Sequence, residues 1–184
     1  MTSVGEQAGD DGWLPGVRCI PSPNVDERPP GMAICLVVIH AISLPPGEFG
    51  GNGIVELFTN TLDPEAHPYY RDIPAFRVSA HFLIRRDGEL IQFASVNRRA
   101  WHAGASQWAG RERCNDFSIG IELEGCDDQP FEAAQYGALN TLLLELRRRY
   151  PIKAIVGHSD ISPGRKTDPG SGFDWDRIAS FKQV

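Results

Sequence analysis

Residues 34–39, Ile-Cys-Leu-Val-Val-Ile, are one unbroken apolar run, and four of the six are β-branched. Such a run has no polar face to give to water, so as a strand it must be covered on both sides. That demands a sheet with packed layers on each face and restricts the chain to an α/β type of architecture. The run ends by delivering a histidine, His40.

The rest of the pattern alternates strands with helices. Residues 1–12 are polar and read as a flexible N-terminus, and 13–30, with five prolines, as an extended lead-in. A Gly- and Pro-rich loop at 44–53 precedes a short helix near 54–59, and 63–74 is irregular. Residues 80–84 and 90–93 flank Asp87-Gly88, a dipeptide that suits a tight hairpin turn. Residues 101–115 read as a loop. Residues 117–123 alternate, with Ile119, Ile121 and Leu123 on one face and Gly120 and Glu122 on the other, which predicts a half-buried strand. A long amphipathic helix follows over 130–150, with Phe131, Ala134, Ala138, Leu142 and Leu146 at helical spacing. Residues 154–156 form a short strand leading to His158. Asp174 caps a last helix with Trp175, Ile178 and Phe181 inward. The expected fold is α/β (α+β): a single domain over 13–184, with a central mixed β-sheet flanked by helices.

Composition excludes several functions. At 184 residues with 41% hydrophobic and 23% charged residues, the chain is of ordinary globular make-up. A net charge of −6 argues against a nucleic-acid partner, which calls for a basic patch. The only dense basic cluster, Arg147-Arg148-Arg149, closes a helix, where cations suit the dipole. The four cysteines include no Cys-x-x-Cys pair and suggest no disulfide framework. No apolar run approaches the ~20 residues of a membrane span, and the polar first twelve residues are no secretory signal. A cytoplasmic protein with no membrane partner is the expectation.

The chemistry-bearing residues gather at strand ends. His40 and His158 follow apolar runs, and Lys166 and Asp168 lie in the segment Arg-Lys-Thr-Asp-Pro. Pro169 holds Asp168 in extended backbone, where side chains two apart point the same way. Lys166 and Asp168 are thus expected to face one cavity. Two imidazoles and a carboxylate from His40, His158 and Asp168 make a three-ligand set that leaves zinc an open position, the catalytic form of the metal. Glu122 is then the proton carrier and Lys166 the oxyanion stabiliser. His67, His81 and His102 are left over as structural or substrate-facing.

Longer words carry a family likeness: Ile-Ser-Leu-Pro-Pro-Gly-Glu-Phe-Gly-Gly at 42–51, Arg-Val-Ser-Ala-His at 77–81 and Arg-Ala-Trp-His-Ala-Gly at 99–104. Gly-Arg-Glu-Arg-Cys-Asn-Asp-Phe-Ser-Ile-Gly-Ile-Glu-Leu-Glu-Gly at 110–125 and Arg-Lys-Thr-Asp-Pro-Gly at 165–170 complete the set. Over nearly the whole chain it resembles the AmpD-type 1,6-anhydro-N-acetylmuramyl-L-alanine amidases, relatives of T7 lysozyme and the peptidoglycan recognition proteins.

The resemblance implies that fold, one zinc per chain on His40, His158 and Asp168, and catalysis by Glu122 with Lys166. It also implies an anhydro-muropeptide substrate, with Trp101 near the sugar and Arg77 and Arg113 on stem-peptide carboxylates, for which a guanidinium is suited. A monomer working in peptidoglycan recycling, with a consequent role in β-lactamase regulation, is expected. A non-catalytic muropeptide-binding module of the same fold is the alternative, but it would lack a zinc ligand. A lysin acting on intact wall would want a signal or a wall-binding domain. The family commonly reads His-Asn-Ile-Ser where this chain has His40-Ala41-Ile42-Ser43, so Ala41 removes one hydrogen-bonding group from the substrate side.

Overall fold

The structure, a computed structural model, describes residues 11–71, 73 and 75–181. The strands in chain order are β1 (Arg18–Cys19), β2 (Val25–Glu27), β3 (Leu36–Ile42), β4 (Phe82–Ile84), β5 (Leu90–Gln92), β6 (Arg98–Ala100), β7 (Gln107–Trp108), β8 (Arg111–Glu112), β9 (Ser118–Glu124) and β10 (Ala154–Gly157). The helices are α1 (Gly53–Thr59), α2 (Ala133–Arg149) and α3 (His158–Ile161), with a final 3₁₀ segment over Trp175–Phe181. Six strands form the central mixed sheet in the order β1-β5-β4-β9-β3-β10. β10, β3, β9 and β4 run parallel, while β5 returns antiparallel to β4.

β3 is the strand its apolar run predicts. Val37 and Ile39 face the α2 layer, where they meet Leu139, Leu142, Leu143 and Leu146. Leu36 and Val38 face the other way, onto Cys114, Phe117, Val156 and Ile161. Each of these aliphatic side chains contributes about 1.5–3 kcal/mol by leaving water. Both faces of the strand are therefore sealed, and the first residue to break the run, His40, is itself buried.

Several expectations need correction. β9 is buried along its whole length, not half-buried. It lies between β3 and β4 in mid-sheet, and its polar face is covered by other side chains. The ring of His102 lies so close over Gly120 that a Cβ there would come within 2.4 Å of it. Glu124 is enclosed by Arg85 Nη1 (3.3 Å) and the amides of Gly50 (2.7 Å) and Arg86 (3.2 Å). α2 begins at Ala133, where the Gln135 side chain accepts from the Glu132 amide at 2.9 Å. Its buried stripe runs through Leu139, Leu142, Leu143 and Leu146, and Ala134 is exposed. Leucines remove more apolar surface than alanines and so set which way the helix faces. The 101–115 loop carries a small antiparallel ribbon, β7 with β8, turning through Ala109 and Gly110 at positive φ. The last helix is 3₁₀ and kinks at Ile178, with Asp174 accepting from the Asp176 amide at 3.0 Å.

The hairpin is present as β4–β5, with Gly88 at φ 89° in its turn. Of the N-terminal segment, residues 1–10 lie outside the described residues. Asp11 and Gly12 are tied down: the Gly12 carbonyl accepts from Val96 N at 2.9 Å. All four cysteines are free thiols. Among the described residues no helix is long and apolar enough to cross a membrane.

Candidate metal centre

Strand register assembles the site. His40 on β3 is paired with Glu122 on β9, and Gly157 on β10 is paired with Ile39. The three strands are parallel, so His40, Glu122 and His158 come to the same edge of the sheet. Ligand sites in open sheets form beyond these carboxyl ends. Cis-linked Pro169 follows Asp168, and the Asp168 carbonyl accepts from the Ser159 amide at 2.9 Å, which holds the returning segment against α3. Lys166 and Asp168 face one cavity of ≈ 210 Å³, together with His40, Glu122 and His158. A larger groove, ≈ 970 Å³, runs between Leu14–Val17 and α2, but its walls are mainly apolar and it brings no histidine or lysine together.

Three atoms converge at the centre. His40 Nδ1 lies 3.0 Å from His158 Nδ1, and each lies 3.1 Å from the same Asp168 carboxylate oxygen. The second nitrogen of each ring is engaged elsewhere. His40 Nε2 meets His102 Nδ1 at 2.9 Å, and His158 Nε2 donates to the Ala103 carbonyl at 3.3 Å. With the ring protons directed outward, the lone pairs of both Nδ1 atoms face a carboxylate. Ligands at about 2.0–2.1 Å around a tetrahedral zinc sit roughly 3.3–3.4 Å apart, so the triangle fits a small divalent cation with slight expansion. Among the described residues this is the one group of His, Cys, Asp and Glu side chains close enough to hold a metal.

Electrostatics sharpens the roles. Burial pushes the His40 imidazole down to about 4, favouring the neutral, ligating form. Burial resists ionisation of Asp168, but the His158 and His40 rings, each 3.1 Å away, win and hold it well below the usual carboxylate range. Glu122 goes the other way. Burial, then the nearby Asp168 charge, push it well above the ordinary value, with Lys166 pulling back. Its Oε2 is buried and has no hydrogen-bond partner among the described residues. A carboxyl with its pKa raised by burial in a cleft is a feature of proton carriers.

The family model for N-acetylmuramoyl-L-alanine amidases matches residues 30–171. The chain belongs to the N-acetylmuramoyl-L-alanine amidase family. It is 56% identical over 171 residues to 1,6-anhydro-N-acetylmuramyl-L-alanine amidase AmpD of Escherichia coli K12, covering 92% of this chain and 93% of that one. The crystal structure of a selenomethionine AmpD derivative superposes with a TM-score of 0.91 at 55% identity, covering 95% and 98% of the two chains. E. coli AmiD, solved with anhydro-N-acetylmuramic acid-L-Ala-D-γ-Glu-L-Lys, matches at 29% identity and a TM-score of 0.62, over 88% of this chain and 67% of that chain.

The amidase does not bring every expected residue to the cavity. Trp101 is in its wall, half-buried, with its amide donating to Ser79 Oγ at 3.2 Å. Arg77 lines a separate small cavity with Leu57, Asn60 and Leu62. Arg113 sits at φ 59° in a neighbouring groove with Arg165, and its Nε lies 3.4 Å from Asp116. Trp101 thus lines the cavity as the resemblance implies, whereas the parts of His102 and Ala103 go beyond the sequence pattern. Trp101 walls the cavity, His102 meets His40, and the Ala103 carbonyl meets His158. Asn115 Oδ1 pins this stretch by accepting from the His102 and Ala103 amides at 3.2 and 2.8 Å. One sequence signal points to His102: a glycine inside a strand, here Gly120, often marks a close approach.

Proposed function

We propose that this chain is a zinc-dependent 1,6-anhydro-N-acetylmuramyl-L-alanine amidase. It hydrolyses the amide between the lactyl group of anhydro-muramic acid and L-alanine. The observation that carries the reading is the triangle of His40 Nδ1, His158 Nδ1 and Asp168 opening on the same cavity as the unpaired oxygen of Glu122. Similarity to AmpD over most of both chains narrows the substrate class.

His40, His158 and Asp168 would hold one zinc, which supplies Lewis acidity for polarising a carbonyl and acidifying water. Two neutral imidazoles and one carboxylate leave part of the metal's charge uncompensated, which favours that chemistry. Glu122, held by β9 beside the ligands, takes a proton from the attacking water and returns it to the departing alanine nitrogen. The C–N bond breaks, leaving a carboxylate on the lactyl group and a free α-amine on the peptide. Lys166 faces the same cavity and offers its ammonium to the oxygen that gains negative charge as water adds. Trp101 supplies a flat apolar wall for the sugar. Arg77 and Arg113 lie outside the cavity and are suited to carboxylates further along the stem peptide. Peptidoglycan recycling in the cytoplasm by a monomer is the setting we propose, with β-lactamase control following from muropeptide levels.

Incubation of the zinc-loaded protein with anhydro-N-acetylmuramyl tripeptide, followed by mass spectrometry, tests this. Free anhydro-N-acetylmuramic acid and a tripeptide with N-terminal L-alanine are expected. An intact substrate, or a cut within the peptide, would overturn the reading.

A further inference from the structure

We propose that His102 is a positioning residue that locks His40 in the Nε2-protonated tautomer and so presents the Nδ1 lone pair to the metal. This rests on the zinc reading above. A neutral imidazole carries a single N–H, and a ring nitrogen holding a cation cannot also hold that proton. His40 Nδ1 is the atom in the ligand triangle, so its proton belongs on Nε2. Among the described residues, the hydrogen-bond partner of Nε2 is His102 Nδ1 at 2.9 Å. His102 Nδ1 must therefore be the acceptor, which puts the His102 proton on its own Nε2. There it donates to Ser118 Oγ at 3.2 Å. Every contact in the chain Ser118–His102–His40 is satisfied by this one assignment. Reversing it would place a proton on His40 Nδ1, facing the ligand site.

The protein holds this ring firmly. His102 is buried, its amide donates to Asn115 Oδ1 at 3.2 Å, and its ring lies over Gly120, where any Cβ would collide with it. Metal-bound histidines usually donate their second N–H to a carboxylate or a carbonyl. His158 follows that habit with the Ala103 carbonyl. His40 relies on a neutral imidazole, a partner with two possible tautomers of its own, which explains why His102 needs Ser118 behind it.

Three variants separate the roles. Asn places an amide oxygen where His carries Nδ1, Gln places one where His carries Nε2, and Phe keeps the ring without either. Zinc affinity is measured by chelator competition on the full chain, with thermal melting in excess chelator to follow the fold. His102→Phe and His102→Gln are expected to bind zinc about 10–100-fold more weakly, and His102→Asn to stay near native affinity. Native zinc affinity in folded His102→Phe would overturn the proposal. So would His102→Gln binding as tightly as His102→Asn, a comparison that stands even if the Phe variant fails to fold. Since His102 also borders the cavity, a raised KM with unchanged zinc affinity in all three would assign it to substrate instead. Wild-type protein that binds no zinc would overturn the zinc reading itself, whereas a tight wild type with equally tight variants would overturn this inference alone.

Discussion

Replacing Glu122 with glutamine should make the protein more stable and nearly inactive. The carboxyl is buried, one oxygen has no hydrogen-bond partner, and Asp168 stands nearby. An unsatisfied buried polar group costs about 1–3 kcal/mol, more when charged. The amide is isosteric and neutral, so Glu122→Gln should gain about 1–2 kcal/mol at neutral pH, or roughly 2–8 °C in Tm for a domain of this size. The sign of the pH dependence follows from the raised pKa. Between the ordinary carboxyl value near 4.5 and its higher folded value, the native state holds a proton that the unfolded chain has released. Wild-type stability therefore falls as pH rises through that window, and the variant escapes the fall. Below pH 4.5 both side chains are neutral and the advantage should vanish. Melting curves must be taken in chelator, because a bound cation would offset the carboxylate charge. With zinc restored, the loss of a proton carrier should lower turnover by about 10²–10⁴-fold, or roughly 3–5 kcal/mol of barrier. Equal Tm for the two proteins across pH 4–8 would refute the buried, unpaired carboxyl, and retained turnover would refute its role in proton transfer.

Lys166→Ala should keep its zinc and lose about 10²–10³-fold in kcat, with kcat/KM falling in parallel, since the ammonium meets charge that develops only in the transition state. Steady-state kinetics beside metal analysis checks this, and a metal-depleted variant that recovers full rate in excess zinc would assign Lys166 to holding Asp168. Glu124→Ala should do the reverse of Glu122→Gln. It removes the acceptor of the Gly50 and Arg86 amides and one partner of Arg85, which keeps the Gly51 carbonyl and Glu89, costing about 1–3 kcal/mol in denaturant melts, while zinc binding by the folded fraction persists.

The contrast between these two glutamates shows where sequence reading stops. Glu122 and Glu124 alternate identically on one strand, and nothing in 118–124 says which enters the cavity and which closes an ion pair. The register against β3 and the Gly50 loop decide it, and both are long-range. His40 was legible because an apolar run that must be buried ends on it. His158 and Asp168 were legible because proline and extended backbone fix where the second segment points. His102 was not, since its importance comes from the proton it accepts, and only the packing of its ring on Gly120 hints at it. The full burial of β9 is hidden for a related reason: alternation records polar side chains but not the partners that come from elsewhere to cover them. The resemblance alone points to Arg77 and Arg113, and their places outside the cavity depend on loop paths that no local pattern encodes.

The central claim is that cleavage depends on one zinc held by His40, His158 and Asp168. A single titration tests it most directly: metal-stripped protein receives zinc in steps while product release from anhydro-N-acetylmuramyl tripeptide is followed. The account predicts no cleavage at the start, a linear rise, a plateau at about one equivalent, and no rise at all for His40→Ala. Full cleavage by the metal-stripped protein, or an unchanged titration in His40→Ala, would contradict it.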